Sequence, residues 1–395
     1  MENNECYILK LKCTSCKKEF DCSEKHTVCE SCGKVLFSIY DLEKAKEHLT
    51  KERIHNRRSY NIWRLHEIMP VINHKFRLTL GEGWTPLVHL KNSGEKYGLK
   101  NLFLKDEGQN PTGTFKSRGL CAAVSKGIEL GIQNFAIPTA GNAGAALSAY
   151  TSYIRVKSHI FMPEDTPQLI QNLVVALGGN LEIVSGLITD VAARCTLAVN
   201  QNNWFDVSTL KEPYRVEGKK TMAFEVVEQL DWNIPDVIVY PTGGGTGIVG
   251  MWKAFDELEA IGLIGSDRPR MVTVQSSGCA PIVKAFQQRQ KKAVYWEEAQ
   301  TLAPGLRIPK AVGDYLILKA IYESKGTAVA INDEDILTAM KTLAYTEGIL
   351  QSPEGAATYA VVRKLLDSGF VTPSESIILF GTGSGFIYPE LWNII

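Results

Sequence analysis

From about Asn101 onward, short apolar runs alternate with stretches of helical periodicity. "NLFLKD" leads into "KSRGLCAAVSKGIELG", "FAIPTA" into "AGAALSAYTSY", and "SHIFMPE" into "PQLIQNLVVALGG". "LEIVS", a helical "DVAARCTLAVNQ" and "WFDVS" follow. A second series runs "GKKTMAFEVVEQL", "PDVIVYP", "GIVGMWKAFDELEA", "RMVTVQS" and "PIVKAFQQ". It closes with "DEDILTAMKTLAYTEG", "GAATYAVVRKLLDSG" and "SIILFGTG". Apolar strands separated by amphipathic helices predict an α/β chain with mostly parallel sheets covered on both faces. In such sheets ligands bind beyond the carboxyl ends of the strands. The stretch before this body, "YDLEKAKEHLTKERIHNRRSYNIWRLHEIMP", is charged and helical in pattern, and is expected to form a connecting helix.

Four strand ends carry chemistry. The loop after "NLFLKD", "NPTGTFKSRG" (Asn110–Gly119), packs turn residues ahead of Lys116, which opens a helix. A lysine there opposes the helix dipole, and in a dry cleft its amine would be neutral and nucleophilic, suited to a Schiff base. A solvated surface lysine is the plain alternative. After "FAIPTA", the residues Thr139, Ala140, Gly141, Asn142 and Ala143 open a second helix, whose exposed N–H groups suit a carboxylate. Asn142 could instead be a simple helix cap. After "PDVIVY" comes "PTGGGTG", in which Gly243, Gly244, Gly245, Thr246 and Gly247 allow backbone N–H groups to close around a phosphate. Gly245, Gly247 and Gly250 also satisfy the dinucleotide glycine pattern, but the next strand, "RMVTVQS", ends without the acidic residue that pattern needs. No Lys-Ser/Thr follows either, so one monophosphate fits better. After "SIILFG", the Thr382 hydroxyl could meet a heteroaromatic nitrogen without protonating it, or could merely decorate a glycine turn. Together a nucleophilic lysine, a carboxylate loop, a monophosphate cradle and a neutral hydroxyl describe a pyridoxal phosphate site. The cofactor would be held by Lys116, Asn142, Gly243–Gly247 and Thr382.

Near the N-terminus, Cys13-x-x-Cys16 and Cys29-x-x-Cys32 have the spacing of two zinc knuckles. Four free thiols in a reducing compartment are the alternative; a redox role fits less well, because neither pair opens a helix of a βαβ unit. Composition narrows the partners. The 395 residues carry 43 Lys+Arg against 43 Asp+Glu, which argues against a dominant nucleic-acid or acidic-membrane partner. No apolar run has spanning length and "MENNECYILK" lacks a signal-peptide core, so a cytoplasmic enzyme is expected.

With those residues assembled, the chain resembles the tryptophan synthase β-like (fold-type II) pyridoxal phosphate enzymes, and among them the threonine synthases. The resemblance rests on "LGEGWTPL" (Leu80–Leu87), "NPTGTFKSRG", "EPYRVEGKKTMAFEVVEQL", "PEGAATYAVVRKL" and "TGSG", and on the N-terminal paired cysteines. It implies two three-layer αβα domains preceded by a zinc-ribbon-like segment. The expected boundaries are residues 1–45 for the ribbon, 46–100 for a linker and entry to the large domain, 101–215 for the smaller domain, and 216–395 for the large one. It implies conversion of O-phospho-L-homoserine and water to L-threonine and phosphate, with the substrate carboxylate on Thr139–Ala143 and its phosphate at Arg215. A homodimer is the expected assembly. Ser117 and Ile387 stand where threonine synthases commonly have Asp and Lys, which keeps a threonine/serine dehydratase or a phosphoserine-using, cysteate-synthase-like β-replacement enzyme as alternatives. A silent cofactor-binding member and a nicotinamide dehydrogenase are weaker rivals.

Overall fold

The computed structural model describes residues 5–394; the first four residues of the leader reading lie outside it. In chain order its strands are β1 (Ile8–Cys13), β2 (Glu19–Phe20), β3 (Leu36–Tyr40), β4 (Leu87–His89), β5 (Asn101–Asp106) and β6 (Asn134–Pro138). They continue with β7 (Lys157–Pro163), β8 (Asn180–Val184), β9 (Phe205–Asp206), β10 (Val237–Pro241), β11 (Arg270–Ser276), β12 (Thr327–Ile331) and β13 (Ser376–Gly381). The chain forms two compact units.

The first unit comprises the described residues of Met1–Trp84 together with Lys116–Met222 and Lys253–Gly265. It holds a small antiparallel sheet ordered β2-β1-β3 and a parallel sheet ordered β8-β7-β6-β9. Inside it, helices Lys116–Glu129 and Asn142–Tyr153 pack on each other. The helix opening at Arg215 crosses the Lys116 helix so closely that glycine is required on both sides. A Cβ at Gly119 would lie 3.0 Å from the Arg215 carbonyl oxygen, and one at Gly218 would overlap the Arg118 carbonyl.

The second unit comprises Thr85–Phe115, Ala223–Trp252 and Ser266–Ile395, of which Ile395 is not described. Its six-stranded sheet runs β12-β11-β10-β13-β5-β4, parallel except for β4. The central strand β10 is buried at every residue and β13 at all but its first, as continuous apolar runs in a covered parallel sheet should be.

Three expectations change. The connecting helix is broken into Leu42–His48, Lys51–His55 and a 3₁₀ segment Ile62–Ile68. Leu49 leaves helical geometry and the Thr50 hydroxyl caps a new start by accepting from Arg53 N. The strand Asn101–Asp106 was placed with the smaller domain, but it pairs in register with β13 in the larger sheet. Strand β12 was not foreseen; it lies on the edge beside β11, between two helical stretches.

Candidate active site

Three loops leave the carboxyl ends of the adjacent parallel strands β10, β13 and β5 in the second unit. They are the glycine loop, the Thr382 turn and the lysine loop. The glycine loop is shaped by backbone-level contacts. A Cβ at Gly243 would overlap the carbonyl oxygen of Gly305, one at Gly247 would overlap the Tyr240 hydroxyl, and Gly245 has φ +82°. Gly305 is itself held, its N–H donating to Glu354 Oε1 at 2.8 Å. The loop opens the long helix Thr246–Ala260. Backbone N–H groups gathered at such a helix start, with no side chain between them and a ligand, fit a phosphate monoester.

Thr382 is buried at the end of β13, and its carbonyl oxygen accepts from Phe115 N at 3.0 Å. Ser384 N donates to the Gly113 carbonyl at 2.7 Å. The lysine loop is therefore pinned to the Thr382 turn on both sides of Thr114. Its base is fixed by two buried acids. Glu107 accepts from Thr85 Oγ1 at 2.7 Å and from Asn110 Nδ2 at 2.9 Å, while Asp106 accepts from Gln351 Nε2 at 2.8 Å. Sequence reading did not single out Glu107, Asp106 or Gln351, because Thr85 and the Asp106–Gln351 pairing join them to distant parts of the chain. Ile387, at the position where the resemblance expects a lysine, packs against Gly113.

In the first unit, Lys116 opens its helix directly after Phe115 and is partly buried. Asn142 opens the neighbouring helix, also partly buried, and Gly141 at its N-cap has φ +132° and provides no side-chain cap. The helix start therefore carries no side-chain cap of the Ser or Asp kind at its N-cap position. Gly141 N donates to Thr139 Oγ1 at 3.0 Å, which folds Thr139–Ala143 into a compact turn after β6.

Arg215 is not the surface residue that a charged segment suggests; it is 1% exposed. Its Nη1 donates to the Val207 carbonyl at 2.6 Å, and its Nε has no hydrogen-bond partner among the described residues. Burial lowers its pKa from the usual arginine range, and Glu212 and Asp206 oppose that shift. Glu212 caps the helix start, accepting from Tyr214 N at 2.6 Å and from Arg215 N at 3.0 Å. Burial pushes the Glu212 carboxyl up to about 7, against the pull of Arg215 and the two backbone donors.

The paired cysteines come together. The ligand atoms of Cys13, Cys16, Cys29 and Cys32 all lie within 4.8 Å of one another, with Cys13–Cys32 at 3.4 Å and Cys16–Cys29 at 3.5 Å. Four thiolates tetrahedral about zinc would stand about 3.8 Å apart, so this cluster can hold the metal. Among the described residues no helix is long and apolar enough to cross a membrane.

Comparison with known proteins agrees with this geometry. Residues 78–383 match the family model described as "Pyridoxal-phosphate dependent enzyme". The chain is 35% identical over 381 residues to threonine synthase of Methanocaldococcus jannaschii, covering 96% of this chain and 93% of that relative. It is 34% identical over 374 residues to threonine synthase of Methanosarcina acetivorans, covering 94% and 91%. Among solved structures it is similar to diaminopropionate ammonia lyase from Escherichia coli, with a TM-score of 0.70 and 17% identity over 80% of this chain and 88% of the other. It is also similar to threonine deaminase isoform 2 from Solanum lycopersicum, with a TM-score of 0.67 and 17% identity over 78% and 87%. At that identity the two structures speak for the fold, which is that of fold-type II pyridoxal phosphate enzymes. From the glycine cradle, the pinned lysine loop and these matches together, the chain belongs to the pyridoxal-phosphate-dependent enzyme family.

Proposed function

We propose that the chain is a threonine synthase: a carbon–oxygen lyase that breaks the Cγ–O bond of O-phospho-L-homoserine and adds water at Cβ. Phosphate and L-threonine are the products. The observation that carries the substrate assignment is Arg215, a fully buried guanidinium with an unpartnered Nε at the start of a helix. A desolvated cation with a free donor calls for an anion, and a guanidinium binds phosphate oxygens in a bidentate fork.

When bound, pyridoxal phosphate supplies an aldehyde that takes up amines and a ring that delocalises negative charge. Gly243–Gly247 would hold its phosphate, Asn142 its ring hydroxyl, Thr382 its ring nitrogen and Lys116 its aldehyde. Freed from the aldehyde, the Lys116 amine would take the proton from Cα and return it at the end, and would help move a proton from Cβ and another to Cγ around the departure of phosphate. The turn Thr139–Ala143 at the start of the Asn142 helix would orient the substrate carboxylate. A hydroxyl such as that of Thr382 would leave the ring nitrogen unprotonated, which would disfavour transamination. Cys13, Cys16, Cys29 and Cys32 would hold a structural Zn²⁺, and a cytoplasmic homodimer is the assembly we propose.

A second reading has one observation behind it. Ile387 places an aliphatic side chain against the lysine loop where the threonine synthase motif expects a cation, which would suit a substrate without phosphate, as in a threonine/serine dehydratase. The holoenzyme separates the two readings. Threonine and phosphate formed from O-phosphohomoserine support the first; ammonia and 2-oxobutyrate formed from threonine, with no phosphate release, would replace it with the second.

A further inference from the structure

The cysteine ribbon ends in a residue that reaches into a buried ion cluster. Tyr40, the last residue of β3, donates its hydroxyl to Glu217 Oε2 at 2.9 Å. Glu217 lies two residues after Arg215 on the same helix and is fully buried. It faces Lys220 at 2.6 Å and Lys253 at 3.0 Å, and Glu257 faces Lys220 at 2.8 Å and pairs with Lys253. The Tyr40 ring lies under both cations, 4.1 Å from Lys220 Nζ and 5.0 Å from Lys253 Nζ. Two carboxylates and two ammonium groups are thus covered by Tyr40, with the Phe37 ring also over Lys253 at 5.9 Å, all within the first unit. Burial pushes the Glu217 carboxyl up, but Lys220 and Lys253 more than reverse it and hold it below its ordinary range.

We propose that Tyr40 is a positioning residue for the reaction: it fixes the first turn of the arginine helix, and with it the guanidinium that receives the substrate phosphate. A desolvated charge cluster is sensitive to its hydrogen bonds, because an unmet bond has no water to replace it. Its geometry therefore depends on the Tyr40 hydroxyl. The helix it fixes has no freedom to drift on its other face, where Gly119 and Gly218 leave no space between backbones. Ribbon, ion cluster and substrate arginine form one mechanical series. The N-terminal segment thereby gains a role in substrate binding beyond holding a metal.

This inference rests on the reading of Arg215 as the phosphate ligand, and its test keeps the two apart. Holoenzyme carrying Tyr40→Phe, Lys253→Gln or Arg215→Lys is titrated with inorganic phosphate and assayed with O-phosphohomoserine. Tyr40→Phe keeps the ring and removes only the hydroxyl. It is expected to weaken phosphate binding and raise KM about three- to tenfold, with kcat within about twofold and the cofactor absorbance unchanged. Lys253→Gln should act in the same direction. A lowered unfolding midpoint with phosphate affinity unchanged in both variants would make Tyr40 a purely structural residue and overturn the inference. If Arg215→Lys also leaves phosphate affinity unchanged, the assignment of Arg215 falls, and this inference with it. If Arg215→Lys weakens phosphate while Tyr40→Phe and Lys253→Gln do not, only the inference falls.

Discussion

Two helix starts in this chain follow the same plan and are finished differently. Each comes after a buried parallel strand and opens with a glycine of positive φ, Gly141 before Asn142 and Gly245 before Thr246. At Gly141 and Gly144 a Cβ would meet the ends of side chains: Ile170 Cγ2 at 2.7 Å in the first case, Ile160 Cγ2 and Met162 Cε at 2.7 Å in the second. At Gly243 it would strike the Gly305 backbone and at Gly247 the buried Tyr240 hydroxyl. Side-chain ends can yield by a rotamer change, whereas the backbone of Gly305, whose N–H donates to Glu354, cannot. The glycine loop is fixed, which suits its proposed role as the cradle of a cofactor phosphate retained through turnover. The Asn142 loop is more adaptable, which suits its proposed role as a site that admits and releases substrate.

The sharpest way to break this contrast is one methyl group in each loop. Gly243→Ala should weaken pyridoxal phosphate binding by at least about 100-fold, close to 3 kcal/mol, because the loop must move its backbone to make room. Absorbance titration of the apoenzyme reads this directly, and near-normal affinity would show that the cradle is not rigid. Gly144→Ala should keep the cofactor spectrum while raising KM for the substrate by about tenfold or less, since Ile160 and Met162 can shift. Equal losses of cofactor in both variants would erase the distinction.

Metal removal probes a third region. If Cys13, Cys16, Cys29 and Cys32 hold zinc, a strong chelator should release about one equivalent and lower the unfolding midpoint by several degrees, with the glycine loop's cofactor affinity retained. No released metal from protein purified without chelators would leave the cluster as four thiols.

The smallest effect concerns Glu212. Its folded-state pKa of about 7 lies above the ordinary 4.5, so the folded chain keeps a proton that the unfolded chain has lost. Its contribution is most favourable below about pH 4.5, declines as pH rises toward 7, and is constant above. Glu212→Gln should flatten that part of the stability profile between pH 5 and about 7.5, read as urea midpoints. Parallel profiles for the two proteins would mean that Glu212 ionises normally.

Legibility in the sequence followed locality. The glycine loop, the lysine loop and the Asn142 turn are each contiguous runs of glycine, threonine and asparagine just past an apolar strand, and the cysteine spacing is equally local. What sequence reading missed depends on pairings across the chain. The helix Arg215–Gln229 carries Arg215, Glu217, Lys219, Lys220 and Glu225, a composition that reads as a solvated face, yet all five are buried. Glu217 and Lys220 owe this to Lys253, Glu257 and Tyr40, which no periodicity in the helix announces. The strand Asn101–Asp106 was recognised correctly, but its neighbour β13 lies some 270 residues later, so its sheet could not be assigned. The connecting helix fractured because Thr50 and Asn61 offer caps inside a charged run whose overall pattern remains helical.

The most direct test of the proposed reaction follows oxygen rather than rate. Holoenzyme would be given O-phospho-L-homoserine in ¹⁸O-labelled water, with Lys116→Ala as the control, and both products analysed by mass spectrometry. Cleavage at Cγ–O with water added at Cβ predicts threonine carrying one ¹⁸O in its hydroxyl and phosphate carrying none, with neither product formed by the variant. Label in the phosphate with homoserine as the coproduct, or no phosphate at all from a fully loaded enzyme, would contradict the assignment.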